Sequence, residues 1–63
     1  MVMKIEFYLR EPGEHRLIGA RFEIAVPREG ESVCLEEDGP TYDVHSVTHL
    51  TYLGVVRVLL KTS

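Results

Sequence analysis

The residues that could bind a metal are few and widely spaced in this sequence. His15, His45, His49 and Cys34 are the strongest donors for a transition metal. His45 and His49 are four residues apart, which on a regular strand separates them by about 13 Å, too far to reach one ion. Zinc would need further ligands at about 2 Å, and only Cys34 or Asp43 could supply one, if folding brought them together. The spacing therefore predicts no metal site and no cofactor.

The residues that could act as nucleophiles also lack the neighbours that catalysis requires. Cys34 is followed by Glu36 and Glu37, and carboxylates nearby disfavour the reactive thiolate. Asp43 and His45 fall on one face of a predicted strand, but no serine or cysteine completes a triad with them. The sequence contains no glycine-rich phosphate loop. We therefore expect a protein that is not an enzyme.

Turn-forming residues interrupt the chain at short intervals and define its elements. The interruptions are Glu11–Glu14, Pro27–Glu31, Asp38–Thr41 and Leu53–Gly54. Short alternating apolar runs between such turns are typical of strands and leave little room for helices. The sequence therefore predicts a single small all-β domain over residues 1–63.

Five strands are predicted from the period-two alternation of apolar residues. Their approximate ranges are Met3–Arg10, Arg16–Val26, Val33–Glu36, Tyr42–Tyr52 and Gly54–Lys61. The inward residues expected on the first and last strands are Met3, Ile5, Phe7, Leu9, Val56, Val58 and Leu60. On the short third strand, Val33 and Leu35 are expected to face inward and Cys34 and Glu36 outward.

The second and fourth strands are predicted to be irregular. The inward residues expected on strand two are Ile18, Ala20, Phe22, Ile24 and Val26, with a bend or bulge at Gly19–Ala20. On strand four, Val44 and Val47 are three residues apart, which breaks the alternation. A bulge near His45–Ser46 would restore the inward direction of Val47.

The number and length of these strands favour a small five-stranded antiparallel SH3-like barrel, closed or nearly closed. Closure would remove the exposed edges of the sheet. Two alternatives stay open, a two-layer sheet completed by a partner chain and an OB-like barrel.

The order of features over residues 26–63 resembles that of small SH3-like barrel proteins, many of which are uncharacterised products of bacteria and phages. The shared features are Val26-Pro27-x-x-Gly30-Glu31-x-Val33, Tyr42-x-Val44-x-x-Val47 and Val56-x-Val58-x-Leu60. These motifs are structural. The resemblance therefore implies a fold and a bacterial or phage origin, and it assigns no functional residue.

The charge of the chain is unevenly divided. Residues 29–56 contain no lysine or arginine and six acids, which gives this stretch a charge of −6. The acids are Glu29, Glu31, Glu36, Glu37, Asp38 and Asp43. Such asymmetry predicts that a basic protein surface could dock here, although acids can also simply keep a small domain soluble. Nucleic acid is disfavoured as a partner because the basic residues are scattered among acids.

Several apolar residues do not fit the inward set. Tyr8, Val55 and Leu59 fall on the opposite face of the first and last strands, and Leu50 and Tyr52 on that of strand four. If the first and last strands are neighbours, Tyr8, Val55 and Leu59 form one patch that could bind a protein partner or a second copy of the chain, unless a bulge buries them.

Size and composition complete the prediction. A chain of 63 residues buries a thin core, and its single cysteine cannot form an internal disulfide, so a homo-oligomer is a natural source of stability. The lone cysteine and the charges among the first residues indicate a cytoplasmic protein, in the host cytoplasm if phage-encoded, with no membrane partner.

We expect a non-enzymatic protein-interaction module, an adaptor or inhibitor. The alternatives are a nucleic-acid-associated barrel and a structural self-assembling subunit.

Overall fold

The alternating apolar runs form five β-strands in a single sheet. The computed structural model describes residues 2–62, with β1 at Met3–Glu11, β2 at Glu14–Glu23, β3 at Ser32–Cys34, β4 at Thr41–Leu50 and β5 at Val55–Thr62. The strand order across the sheet is β2-β1-β5-β4-β3. The sheet curls through 208° into an open half-barrel, which confirms the all-β prediction.

β1 and β5 pair in parallel, so the prediction of a wholly antiparallel sheet was wrong. Ile5 lies opposite Val56, and Phe7 lies opposite Val58. The other three strand pairs are antiparallel. Parallel neighbours need a long crossover connection, and here the whole segment from β2 to β4 serves as that crossover. Spacing along the sequence could not reveal this arrangement, because it depends on which distant strands meet.

The half-barrel opens between its two edge strands, β2 and β3. Side-chain contacts bridge the opening there. The guanidinium of Arg21 donates a hydrogen bond from Nη2 to the carbonyl oxygen of Leu35 at 3.0 Å. A Cβ added at Gly19 would lie 3.6 Å from Cδ1 of Leu35, so the two edges approach closely without forming a ladder. The sheet therefore keeps two edges where a closed barrel would have none.

The core lies on the concave side of the sheet and comes mainly from the two central strands. Its fully or nearly fully buried side chains are Ile5, Phe7, Leu9, Val44, Val56, Val58 and Leu60. Six of these seven belong to β1 and β5, as the alternation predicted. Burying each such side chain contributes about 1.5–3 kcal/mol, so the central pair provides most of the hydrophobic stabilisation.

A bulge in β2 reverses the face on which its later residues lie. Phe7 pairs with Gly19 and Tyr8 pairs with Leu17, so Ile18 is an extra residue. The period of two therefore shifts by one beyond Ile18. The predicted burial of Ala20, Phe22 and Ile24 was wrong: all three are exposed, Phe22 by 71% and Ile24 by 78%. Of the predicted inward set, Ile18 and Val26 do pack against the core.

The predicted irregularity of strand four is confirmed. The register of β4 against β5 shifts between Val44 and Ser46, so His45 is the extra residue. Val44 is buried and Val47 packs against the core, which is the inward direction that the bulge was expected to restore. β4 ends at Leu50 rather than Tyr52, because a turn containing Gly54, at φ 67°, begins at Thr51.

The burial pattern predicts very different costs for two leucine truncations. Replacing Leu60, which is fully buried in the central pair, by alanine should lower the free energy of unfolding by about 2–5 kcal/mol. Replacing Leu17, which is 52% exposed, should cost less than about 1 kcal/mol. Urea denaturation of both variants measures the difference, and equal losses would contradict this assignment of the core.

Candidate interaction surfaces

The six acids predicted as candidate binding residues lie along one edge of the sheet. We call residues 29–43, which comprise β3, its flanking loops and the start of β4, the acidic segment. Glu29, Glu31, Glu36, Glu37 and Asp38 are exposed there, and Asp43 is half-buried. The loop before β3 is tied to β4, since the Gly30 amide donates to the Val44 carbonyl and the Val44 amide donates to the Glu31 carbonyl, at 3.0 and 2.8 Å. The local backbone thus holds the acids at this edge.

Within residues 2–62, no carboxylate of the acidic segment forms an ion pair, although Arg21 bonds to the Leu35 carbonyl and Lys61 lies opposite Asp43 in the register. The three ion pairs of this part of the chain join Lys4 to Glu6, Arg57 to Glu6 and Arg16 to Glu11. Within the segment, Glu31 accepts a hydrogen bond from the Arg28 amide, and Asp43 accepts one from the Ser32 hydroxyl at 3.3 Å. Both donors are neutral, so these carboxylates have no ionic partner and the segment keeps an excess of negative charge.

The second predicted surface lies on the convex face of β1 and β5. The two strands are neighbours, as the patch prediction required, and Tyr8 lies directly opposite Leu59. Val55 lies opposite Lys4 on the same face. All three candidate residues, Tyr8, Val55 and Leu59, are half-buried.

A pair of oppositely charged residues, Glu6 and Arg57, divides this convex face. Arg57 donates to the Glu6 carboxylate at 3.3 Å, and its guanidinium lies 5.5 Å from the centre of the Tyr8 ring. In the register, Glu6 lies opposite Arg57. This pair therefore lies between the Tyr8–Leu59 pair on one side and Val55 on the other. The expected single patch is therefore two smaller apolar areas, and a cation already covers the Tyr8 ring.

Two of the most exposed apolar residues, Phe22 and Ile24, were predicted to be core residues, whereas Tyr52 was expected to lie outside the inward set. Six large hydrophobic side chains of the described chain are more than half exposed: Val2, Leu17, Phe22, Ile24, Tyr52 and Leu53. Phe22 and Ile24 had been placed in the core, and the bulge at Ile18 turns them outward. The glycine at position 19 was a signal for such a bulge, but its effect on the later residues depends on which residue is extra.

Five of these six residues lie at one end of the sheet, which we call the apolar end: Val2, Phe22, Ile24, Tyr52 and Leu53. The strand register establishes this placement. The start of β1 meets the end of β2 where Lys4 pairs with Phe22, and it meets the start of β5 where Lys4 pairs with Val55. Leu50 at the end of β4 also pairs with Val55. The turn residues Tyr52 and Leu53 join these last two strands.

The histidines and the cysteine do not come together in residues 2–62, where no group of three or more potential metal ligands is found. Arg10 donates from Nη1 to Nε2 of His45 at 3.0 Å, while the buried Nδ1 of His45 has no hydrogen-bond partner. His15 and His49 are exposed. Cys34 is exposed too, and its thiol donates to the Glu36 carbonyl at 2.8 Å.

Comparisons with known proteins add no functional assignment. No family model, no curated protein and no solved structure matches this chain. In the described part of the chain there is no helix long and apolar enough to cross a membrane. What is established is the class, a small all-β protein whose five-stranded mixed sheet forms a half-barrel.

Cys34 provides a built-in probe of the uncompensated charge. An anionic disulfide reagent should react slowly with this thiol at low salt, because the surrounding carboxylates repel it. We compare the reaction rate of Cys34 with the anionic reagent to its rate with a neutral maleimide. Glu37→Lys should raise this ratio by at least about threefold. Taking the ratio of the two reagents cancels any change in the intrinsic reactivity of the thiol.

The control for this measurement is Glu14→Lys, which makes the same charge change at an exposed position at the start of β2. It should leave the ratio nearly unchanged. The effect of Glu37→Lys should disappear near 1 M salt, where the screening length is about 3 Å. Equal ratios for the wild type and Glu37→Lys at low salt would show that the acidic segment exerts no local field.

Proposed function

We propose that this protein is a non-enzymatic interaction module that binds a basic surface of another protein through its acidic segment. The observation that carries the proposal is that, within residues 2–62, no carboxylate of that segment forms an ion pair. Uncompensated charge on one edge attracts and orients a partner of opposite charge, and it increases the rate of association. An adaptor or an inhibitor would use the surface in the same way.

The basic residues support a protein partner over nucleic acid. Lys4, Arg16 and Arg57 are paired with glutamates. Arg10 bonds to His45, and Arg21 bonds to main-chain carbonyls. Five of the seven basic side chains are thus engaged within the molecule, whereas phosphate binding needs several directed at one surface. The nucleic-acid-associated barrel remains the weaker alternative.

The remaining expectations are part of the same proposal. The protein would have no catalytic role and would act in the cytoplasm, which is the host cytoplasm if a phage encodes it. The SH3-like relation suggested by residues 26–63 stays a prediction. It is weakened by the parallel pairing of β1 with β5 and by the open sheet, and the lack of a matching structure leaves it without independent support.

A capture experiment with two charge variants tests the proposed function. Immobilised protein is exposed to nuclease-treated bacterial lysate at low salt, and a retained protein is identified, purified and measured by calorimetry. Glu37→Lys should weaken its binding by at least about tenfold, because like charges then face each other across the interface. Glu14→Lys should leave the affinity nearly unchanged, and both variants should keep the wild-type melting temperature.

Two outcomes would contradict the proposal. Equal losses in Glu37→Lys and Glu14→Lys would mean that the net charge of the protein, and not the acidic segment, governs binding. Retention from untreated lysate that is absent after nuclease treatment would favour the nucleic-acid alternative. Anisotropy measurements with labelled single-stranded and duplex RNA would then follow, with binding that falls steeply with salt as the positive result.

A further inference from the structure

The apolar end is too concentrated to be the ordinary scatter of surface hydrophobic residues. Tyr52 is 81% exposed, Ile24 78% and Phe22 71%, and Val2 and Leu53 exceed half. They lie at the same end of the sheet, near the start of β1, near the end of β2 and in the turn before β5. Monomeric proteins rarely expose a large contiguous apolar patch, because covering it is strongly favourable. The arrangement therefore indicates that another molecule covers the apolar end.

The size of the patch suits a protein contact. Covering Phe22 and Tyr52, whose rings offer about 150–250 Å² each when fully buried, would remove roughly 300 Å² from water. Val2, Ile24 and Leu53 raise the total toward the ~800 Å² that each side of a stable interface buries. Aromatic side chains such as those of Phe22 and Tyr52 are also enriched in the core of protein interfaces.

The charges beside the patch favour a second copy over a membrane. Lys4 lies opposite Phe22 in the register, and Glu23 is the last residue of β2. One cation and one anion match each other across a two-fold axis, since Lys4 of one copy can approach Glu23 of the other in place of its 3.8 Å contact with Glu6. An anionic membrane attracts clustered lysine and arginine, whereas this end is locally neutral and the whole chain carries −3.

Three residues of the acidic segment, Glu36–Asp38, form what we call the acidic turn. Its position is consistent with a second copy of the chain at the apolar end. Glu36–Asp38 precede β4, whose first residues pair with the last residues of β5, as Tyr42 does with Thr62. The apolar end lies at the first residues of β5. The eight residues of β5 span about 23 Å, so two copies meeting at their apolar ends would hold their acidic turns at opposite poles. Like charges are then kept apart.

We propose that the apolar end is the interface of a homodimer, in which two half-barrels meet end to end. This inference does not rest on the proposed function, because the acidic turn lies at the opposite end of β5. It also differs from a dimer through Tyr8, Val55 and Leu59, whose convex face is divided by the Glu6–Arg57 pair. The dimer would supply the stability that the thin core of a small chain lacks.

Sedimentation over a range of protein concentrations, with two matched variants, tests the dimer. Phe22→Asp should raise the dissociation constant of the dimer by at least about tenfold, because it replaces one of the largest apolar side chains of that end by a charge. Leu17→Asp makes the same kind of change on the same strand and the same convex face, but away from that end. It should leave the dissociation constant nearly unchanged. Circular dichroism should show that both variants remain folded.

A cross-linking measurement keeps the proposal testable if Phe22→Asp fails to fold. Tyr52→Cys in a Cys34→Ser background places the only thiol at the apolar end, and mild oxidation should give a covalent dimer. Leu17→Cys in the same background should give little. A monomer at all concentrations, or a dimer disrupted by Leu17→Asp and not by Phe22→Asp, would overturn the inference. So would wild-type binding to vesicles containing anionic lipid that Phe22→Asp abolishes.

Discussion

The parallel pairing of β1 with β5 is the contact on which the rest of the structure depends. It brings the two most apolar strands side by side, and together they supply six of the seven buried core residues. Each then has one further antiparallel neighbour, which leaves β2 and β3 as the edges of the sheet. The opening bridged by Arg21 and the location of the acidic segment both follow from this order.

Two bulges then determine which residues reach the surface. The extra residue His45 keeps Val47 against the core, while the extra residue Ile18 turns Phe22 away from it. A single inserted residue reverses the face of everything beyond it, because side chains alternate with a period of two. A one-residue bulge thus directs Val47 of β4 into the core and places Phe22 of β2 on the surface.

The sequence was sufficient for features that depend on local pattern. Turn residues such as Pro12 and Gly13, and the alternation around Ile5 and Val58, predicted the strands and most of the core. The broken spacing between Val44 and Val47 predicted the bulge in β4. In β2, a bend or bulge was expected at Gly19–Ala20, but the unbroken alternation from Ile18 to Val26 gave the wrong face to the later residues, because only pairing with β1 shows that Ile18 is extra. The parallel partner of β1 was hidden for the same reason, since pairing is a long-range property.

The charges could also be predicted only in part. The absence of basic residues from position 29 to 56 is visible in the sequence. Whether distant arginines fold back to neutralise those acids is not. The structure shows Arg16 and Arg57 paired with glutamates elsewhere, so the acidic segment keeps its charge. This separation of an acidic edge from an apolar end gives the small domain two distinct surfaces.

The central claim is that the sheet is an open half-barrel built on the parallel β1–β5 pair, and a map of interstrand nuclear Overhauser effects tests it most directly. The structure predicts backbone contacts between Ile5 and Val56 and between Phe7 and Val58 in the parallel pattern. It predicts no ladder of backbone contacts between β2 and β3. A continuous β2–β3 ladder, or an antiparallel pattern between β1 and β5, would contradict this account of the fold.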